Sequence, residues 1–168
     1  MKTIALLRAV NVGGTGKLPM AELKAMAEEL GFANARTYIA SGNLLFDSGL
    51  DEAEVKSKLE KRLAAYAGKA VGILVRSAKE MAEIVAGNPF AEEPGNRVAA
   101  IFLDQAPPET ALTEYRGLND ERVALGRREI YVHYPSGQGV SRLVIPAAKA
   151  GTARNMNTVV KLAELARE

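Results

Sequence analysis

The chain has 168 residues, enough for one globular domain or for two small halves that share a core. Hydrophobic residues make up 48% and charged residues 25%, a composition typical of a folded protein rather than a disordered one. A formal net charge of +2 is too small to indicate a nucleic-acid binder by itself. The sequence contains no cysteine, which excludes disulfides, thiolate catalysis and cysteine-ligated metal sites.

The first apolar run stops at Arg8, which is too early for a signal peptide. No stretch of roughly 18 apolar residues is present, so we expect no transmembrane helix and no membrane partner. The lack of cysteine fits a reducing compartment, and we expect a cytoplasmic protein.

The first half of the chain alternates strand and helix signals in the order β-α-β-β-α-β. Apolar runs predict strands at residues 4–7, 36–40, 44–46 and 71–75. Apolar residues three and four positions apart predict one helix that begins at Pro19 and ends at Gly31. A second helix follows the capping box of Asp51 and Glu54 and ends at Gly68. This order is typical of the split βαβ unit of ferredoxin-like domains, in which two helices cover an antiparallel sheet.

The second half gives a similar but less complete pattern. Ser77 and Glu80 form a capping box before a helix. A strand at residues 98–103, a short helix at 107–118 and a hairpin of 122–125 with 129–134 follow. Helices are predicted at residues 140–149, divided by Pro146, and at 157–167. No closing strand is evident.

The predicted fold class is therefore α+β, with two ferredoxin-like halves whose antiparallel sheets are packed by helices. Residues 1–76 would form the first half, and residues 77–168 would form the second half with the C-terminal helix. No low-complexity linker separates them, so we expect the halves to pack as one compact unit.

A glycine-rich segment, residues 8–17, follows the first strand. Its backbone N–H groups would lie beside the cations of Arg8 and Lys17, an arrangement suited to binding an anion. The Walker A pattern fails at Asn11 and Leu18, where it requires glycine and a hydroxyl, and the dinucleotide fingerprint fails at Pro19. A tight strand-to-helix connection that needs glycine explains the segment equally well.

Two further polar segments contain candidate residues. Residues 41–43 most simply form the turn between the second and third strands, although Ser41 and Asn43 would also present polar groups at the rim of the sheet. Residues 152–158 precede the last helix, and an N-cap explains one of their polar side chains. Arg154 near that helix start is also suited to bind an anion.

Other chemistry-bearing residues fit structural roles better. His133 is the only histidine, and its place in an apolar strand is more typical of a packed or solvent-side residue than of a metal ligand. Asp47 and Asp104 each follow an apolar strand, where aspartate commonly ends the strand. We therefore expect neither a metal site nor a bound cofactor.

Five short segments together resemble one known family. They are Leu7-Arg8-Ala9-Val10-Asn11-Val12-Gly13-Gly14, Thr37-Tyr38-Ile39-Ala40-Ser41-Gly42-Asn43, Asn88-Pro89-Phe90, Tyr134-Pro135 with Gly137, Ser141 and Leu143, and Arg154-Asn155-Met156-Asn157-Thr158. In this order they resemble the uncharacterised bacterial family catalogued as domain of unknown function 1697, over essentially the whole chain. Ala9, Gly16 and Met156 depart from it, since the family usually has glycine, a polar residue and tryptophan there. The last departure removes an aromatic stacking surface.

The resemblance implies an α+β fold of two ferredoxin-like halves and implies no activity. It also suggests that seven polar residues form the family's signature. They are Arg8, Asn11, Ser41, Asn43, Arg154, Asn155 and Asn157. Most of them are predicted at strand ends or in loops, where function tends to reside.

The leading hypothesis is a groove in which the three polar segments converge on an anionic small molecule, a phosphorylated or nucleotide-like compound. The predicted ligand-binding residues are Arg8, Asn11, Gly13, Gly14, Lys17, Ser41, Asn43, Arg154, Asn155 and Asn157. Two alternatives stay open: a module that binds single-stranded nucleic acid, and a protein whose signature is structural and which acts through protein partners. No residue is assigned a catalytic role, and the sequence leaves open whether the protein is an enzyme.

Overall fold

The computed structural model describes residues 2–8 and 17–167. In the first half, four strands form one sheet. They are β1 (Lys2–Leu7), β2 (Ala33–Thr37), β3 (Asn43–Asp47) and β4 (Ile73–Ser77). The sheet has the order β2-β3-β1-β4 with antiparallel neighbours. Helices α1 (Met20–Glu29) and α2 (Glu52–Ala67) connect β1 to β2 and β3 to β4. This is the strand order of a ferredoxin-like unit and confirms the predicted fold class.

The central strand β1 is buried on both faces. Ala5 and Leu7 belong to the core cluster that includes Leu23 of α1 and Leu59 of α2. Every residue from Ile4 to Leu7 is fully buried. A continuous apolar run, rather than an alternating one, is what a strand covered on both faces requires.

The helix ends follow the predicted capping chemistry, with one shift. The Asp51 carboxylate accepts the N–H of Glu54 at 2.9 Å, and Gly68 ends α2 with a left-handed φ of 71°. Ser77 and Glu80 form a reciprocal capping box at the start of α3 (Ala78–Ala86). Pro19 is extended, with φ −62° and ψ 138°, so α1 begins one residue after it rather than at it.

Two strands lie a few residues from their predicted positions. The strand predicted at residues 36–40 is β2, Ala33–Thr37, because Ile39 has a positive φ of 50° that ends the extended backbone. The strand predicted at 71–75 is β4, Ile73–Ser77, whose last residue also caps α3.

The second half contains a sheet with the same strand order as the first. Its strands are β5 (Val98–Phe102), β6 (Arg122–Leu125), β7 (Glu129–His133) and β8 (Thr152–Asn155). The order is β6-β7-β5-β8, again antiparallel. The predicted hairpin of β6 and β7 is confirmed. The prediction that this half has no closing strand is wrong, because β8 pairs with β5. The strand β8 is polar in sequence, so it lacks the apolar run that marks a strand.

Two of the predicted helices in this half are wrong. Residues 107–118 contain only a 3₁₀ turn, Glu109–Leu112, and residues 140–149 contain only the 3₁₀ turn Pro146–Ala148 after Gln138–Val140. Arg116 and Val144 exchange two backbone hydrogen bonds, of 2.9 and 2.8 Å, which hold both segments extended at that point. Prolines before the first turn and inside the second segment also oppose a longer helix.

The last helix, α4 (Met156–Ala166), follows β8 directly. The chain divides into two compact units, one from the N-terminal side to Met81 together with the residues from Leu162 onward, and the other comprising Ala82–Lys161. The predicted boundary between residues 76 and 77 and the predicted packing of the halves stay predictions. None of the helices in the described part of the chain is long and apolar enough to cross a membrane.

Candidate functional site

Arg8 lies at the carboxyl end of the central strand β1. The backbone N–H of Leu7 donates to Gly42 O at 2.9 Å, and the N–H of Arg8 donates to Gly72 O at 2.9 Å. These two bonds join the end of β1 to the turn before β3 on one side and to the residue before β4 on the other. The backbone of Arg8 is therefore fixed at the end of a central strand.

The side chain of Arg8 depends on a glycine beside it. A Cβ placed on Gly72 would lie 2.9 Å from Arg8 Cδ and 3.6 Å from Arg8 Nη1. Only a residue without a side chain lets the Arg8 stem occupy this place. Arg8 is half-buried, so the stem is held against protein while the residue keeps access to solvent.

The turn of residues 38–43 is closed by the side chain of Asn43, which is fully buried. Its Nδ2 donates to Tyr38 O and to Ser41 Oγ, both at 2.9 Å, and its carbonyl accepts the N–H of Tyr38 at 3.1 Å. Asn43 is thus a structural clamp of the turn, whereas Ser41 is half-buried. The structure places this turn beside the end of β1 through Gly42.

The remaining predicted residues of the first half divide into two groups. Lys17 is exposed and lies two residues before Pro19, which directly precedes α1. Asn11, Gly13 and Gly14 lie outside the described residues, so the anion-binding geometry predicted for their backbone stays a prediction.

Arg154 lies on β8 opposite Ala100 of β5 rather than in a loop. It is 7% exposed, and its Nη1 donates to Thr152 Oγ1 at 2.7 Å and to Ala153 O at 2.9 Å. Burial lowers the pKa of Arg154 to about 10, so the guanidinium stays charged near neutral pH. The neighbouring oxygens of its own strand provide part of the hydrogen bonding that a buried charge needs.

Asn155 and Asn157 have different surroundings at the β8–α4 junction. Asn155 Oδ1 accepts the N–H of Thr158 at 3.0 Å, which makes Asn155 the N-cap of α4. Asn157 is exposed, and its amide lies so close to Gly95 that a Cβ there would meet Asn157 Cγ at 2.9 Å.

Within one unit, the bond of Leu7 to Gly42 places the end of β1 next to the turn that contains Ser41 and Asn43, whereas the stem of Arg8 packs on Gly72, before β4. Arg154, Asn155 and Asn157 belong to the other unit. Convergence of all three segments on one ligand stays a prediction.

A polar cluster around His133 was not expected from the sequence. His133 is buried, and Arg122 Nη2 lies 2.9 Å from its Nδ1 and 3.0 Å from Glu93 Oε2. On the other side of the ring, His133 Nε2 lies 3.8 Å from Glu93 Oε1. The Arg122 guanidinium also lies 5.1 Å from the centre of the Phe90 ring. Thus His133 is a packed strand residue, and the cross-strand pairing of residues 122 and 133 is the signal that sequence reasoning missed.

A small cavity of about 230 Å³ is lined by residues that precede β6 in the chain and by residues that follow β7. The Glu121 carboxylate accepts a hydrogen bond from Ser141 Oγ at 2.5 Å and another from the N–H of Asn119 at 2.7 Å. These two bonds lower the pKa of the Glu121 carboxyl. Asp120 accepts Ser136 Oγ at 2.6 Å. Sequence reasoning missed this cavity because it predicted a helix over residues 140–149.

Asp47 has the strand-end role considered for it. It accepts Asn34 Nδ2 at 2.8 Å and Lys2 Nζ at 3.3 Å, and these contacts lower the pKa of its carboxyl. Among the residues that the structure describes, no three histidine, cysteine or acidic side chains are grouped so that they could hold a metal ion.

Comparison with known proteins agrees with the fold. The family model described as "Protein of unknown function (DUF1697)" matches residues 1–131. The chain belongs to this family. The predicted family is thereby confirmed over residues 1–131, which contain the first three of the five segments. The DUF1697 match includes Arg8, Ser41 and Asn43, whereas Arg154, Asn155 and Asn157 lie beyond the matched residues.

A solved structure supports the same architecture. The conserved bacterial protein SP0830 from Streptococcus pneumoniae is similar to this chain with a TM-score of 0.81 over 98% of both chains. The two sequences are 24% identical, so the similarity shows the fold of this DUF1697 protein and nothing further about it. The comparison with curated proteins gives no match.

Proposed function

We propose that this DUF1697 protein binds an anionic small molecule, a phosphorylated or nucleotide-like compound, at the carboxyl end of β1. The observation that supports the proposal is the placement of Arg8. Arg8 directly follows the fully buried run Ile4–Leu7, its backbone N–H donates to Gly72 O, and its stem packs on that glycine. Such a constrained guanidinium loses little conformational entropy when it pairs with a phosphate.

Lys17 and the glycine-rich sequence before it add to this proposal. Lys17 is exposed and supplies a second cation at the other end of the same segment. An arginine binds phosphate through two parallel hydrogen bonds, and a lysine adds a mobile point charge. We propose that Arg8 orients the phosphate and that Lys17 adds electrostatic attraction.

The chemistry of these residues favours binding over catalysis. Guanidinium, ammonium and amide groups donate hydrogen bonds to an anion, but at neutral pH they do not abstract protons. We therefore propose a binding protein, and we assign no catalytic residue.

The nucleic-acid alternative has less support. Ferredoxin-like domains that bind single-stranded RNA stack bases on an open face of the sheet. Both faces of β1 and of β7 are buried, since all residues of Ile4–Leu7 and of Glu129–His133 are buried. A random single-stranded oligonucleotide is therefore expected to give no salt-dependent binding by this route.

Calorimetric titration with ribose 5-phosphate and with adenosine 5′-monophosphate tests the proposal. We expect saturable binding of at least one of the two, with a matching rise in Tm. Arg8→Ala should weaken binding by about tenfold or more, because it removes a charge-assisted pair of hydrogen bonds. Lys17→Ala should weaken binding less and mainly at low salt.

Matched controls separate the site from general charge loss. Arg127→Ala removes an exposed arginine from the β6–β7 turn, and Lys24→Ala removes an exposed lysine from α1. Both variants should bind as the unmodified protein does. The proposal is wrong if neither phosphate binds, or if Arg8→Ala binds as tightly as Arg127→Ala.

A further inference from the structure

Ile39 has a backbone conformation that its side chain disfavours. Its φ is 50°, in the left-handed region, although isoleucine is branched at Cβ. Among the described residues, the other non-glycine residue with positive φ is Asn34, whose side chain tolerates that region. The turn at Ile39 therefore contains local strain that glycine or asparagine would relieve.

Burial of the side chain does not offset this strain. Ile39 is 50% exposed, whereas the apolar residues at the centre of the same sheet are fully buried. An apolar side chain that is both strained and exposed contributes little to folding. Strained backbone of this kind is concentrated at ligand-binding sites, where the surrounding structure enforces it.

The surroundings of Ile39 do enforce the conformation. Asn43 Nδ2 holds Tyr38 O, the carbonyl that immediately precedes Ile39, and the N–H of Tyr38 is held by Asn43 O. Gly42, in the same turn, accepts the N–H of Leu7, the residue before Arg8. The exposed isoleucine therefore belongs to the turn that is bonded, through Gly42, to the residue preceding the proposed phosphate-binding arginine.

We propose that Ile39 is the specificity-determining residue of the Arg8 site and contacts the apolar or aromatic body of a phosphate monoester. This inference rests on the proposed function. Arg8 binds the phosphate group, and Ile39 provides an apolar surface for the part of the ligand next to it. The ligand class is then a phosphate ester with a flat or apolar group, such as a nucleoside monophosphate, rather than a bare sugar phosphate.

Comparison of two probes isolates the contribution of Ile39. The unmodified protein should bind adenosine 5′-monophosphate about tenfold more tightly than ribose 5-phosphate, since the base adds apolar contact with Ile39. In Ile39→Gly and Ile39→Asn this preference should fall to about twofold or less, while the affinity for ribose 5-phosphate stays unchanged. Val140→Ala, which trims an exposed apolar residue of the other unit, should keep the full preference.

Thermal unfolding of the same variants provides an independent readout. Both substitutions should keep the protein folded, and Ile39→Asn should raise Tm by about 2–4 °C because asparagine tolerates a positive φ. A variant that gains stability and loses ligand preference cannot be explained by unfolding.

The outcomes distinguish the two proposals. If the unmodified protein binds neither probe, the proposed function fails and this inference fails with it. If ribose 5-phosphate binds through Arg8 but the preference for the nucleotide is absent, or survives in Ile39→Gly, only the role of Ile39 is overturned.

Discussion

At the scale of single residues, amide side chains satisfy backbone groups at the ends of strands. Asn43 closes the turn before β3 by donating to Tyr38 O, and Asn155 caps α4 by accepting the N–H of Thr158. The sequence predicts that one polar residue before the last helix is its cap, but Thr152, Asn155 and Thr158 are equally suitable by type. Asn155 is the cap because β8 ends at this residue. The sequence did not predict this strand end, because β8 is polar and has no apolar run.

Substitution of Asn155 tests its capping role. Asn155→Ala should lower the free energy of unfolding by about 1 kcal/mol, because the N–H of Thr158 loses its acceptor. Asn155→Asp keeps an acceptor and places a negative charge at the helix start, so its stability should match or exceed that of the unmodified protein. Urea denaturation monitored by circular dichroism measures both. Equal losses in the two variants would contradict the capping role.

At the scale of elements, the first half was more predictable than the second. Helices α1 and α2 have apolar residues at helical spacing and recognisable ends, such as Asp51 and Gly68. In the second half, irregular segments with short 3₁₀ turns stand where the prediction had helices. They are held by side-chain hydrogen bonds such as that of Ser141 to Glu121, which join residues 20 positions apart. Such long-range contacts leave no local periodicity for a sequence pattern to show.

The contact of Glu121 with Ser141 predicts a dependence of stability on pH. The folded-state pKa of Glu121 lies below its ordinary value, so the charged carboxylate stabilises the fold above the ordinary value of 4.5, and this contribution is lost as pH falls through the lowered folded-state pKa. Glu121→Gln should therefore be less stable than the unmodified protein at pH 7. The difference should shrink as pH falls below about 5.

Urea denaturation at pH 7, 5 and 3.5 measures this difference. Glu92→Gln, at an exposed glutamate of the same unit, provides the matched control and should stay close to the unmodified protein at pH 7. A Glu121→Gln deficit that is constant across the three pH values would exclude a role for the carboxylate charge.

At the scale of the whole molecule, two sheets of identical strand order occur in a chain without an evident sequence repeat. The order β-α-β-β-α-β in residues 4–75 was sufficient to predict the first of them. The predicted site is less accessible to sequence reasoning, because residue types do not reveal that Arg8 packs on Gly72 or that Ile39 is strained. These features depend on backbone approach and φ angles, which tertiary structure determines.

Helix α4 is divided between the two units, and this division can be tested. Leu162 is fully buried and belongs to the first unit, whereas Val160 is 38% exposed on the same helix. Leu162→Ala should lower the free energy of unfolding by about 2–4 kcal/mol, and Val160→Ala by much less. Hydrogen exchange should accelerate more in β1 and β3 than in β5 and β7. Uniform acceleration of both sheets, or none, would contradict the assignment of Leu162.

The division of α4 also has a consequence for biosynthesis. Because the first unit includes residues from Leu162 onward, this unit cannot be completed until residues 82–161 have been translated. During that interval the ribosome-bound chain lacks the residues from Leu162 onward that belong to the first unit, and incompletely buried apolar residues are vulnerable to aggregation. Contacts between such distant parts of the chain also slow folding, so synthesis rate and chaperone access should affect the yield of this protein more than the helical content of its first half suggests.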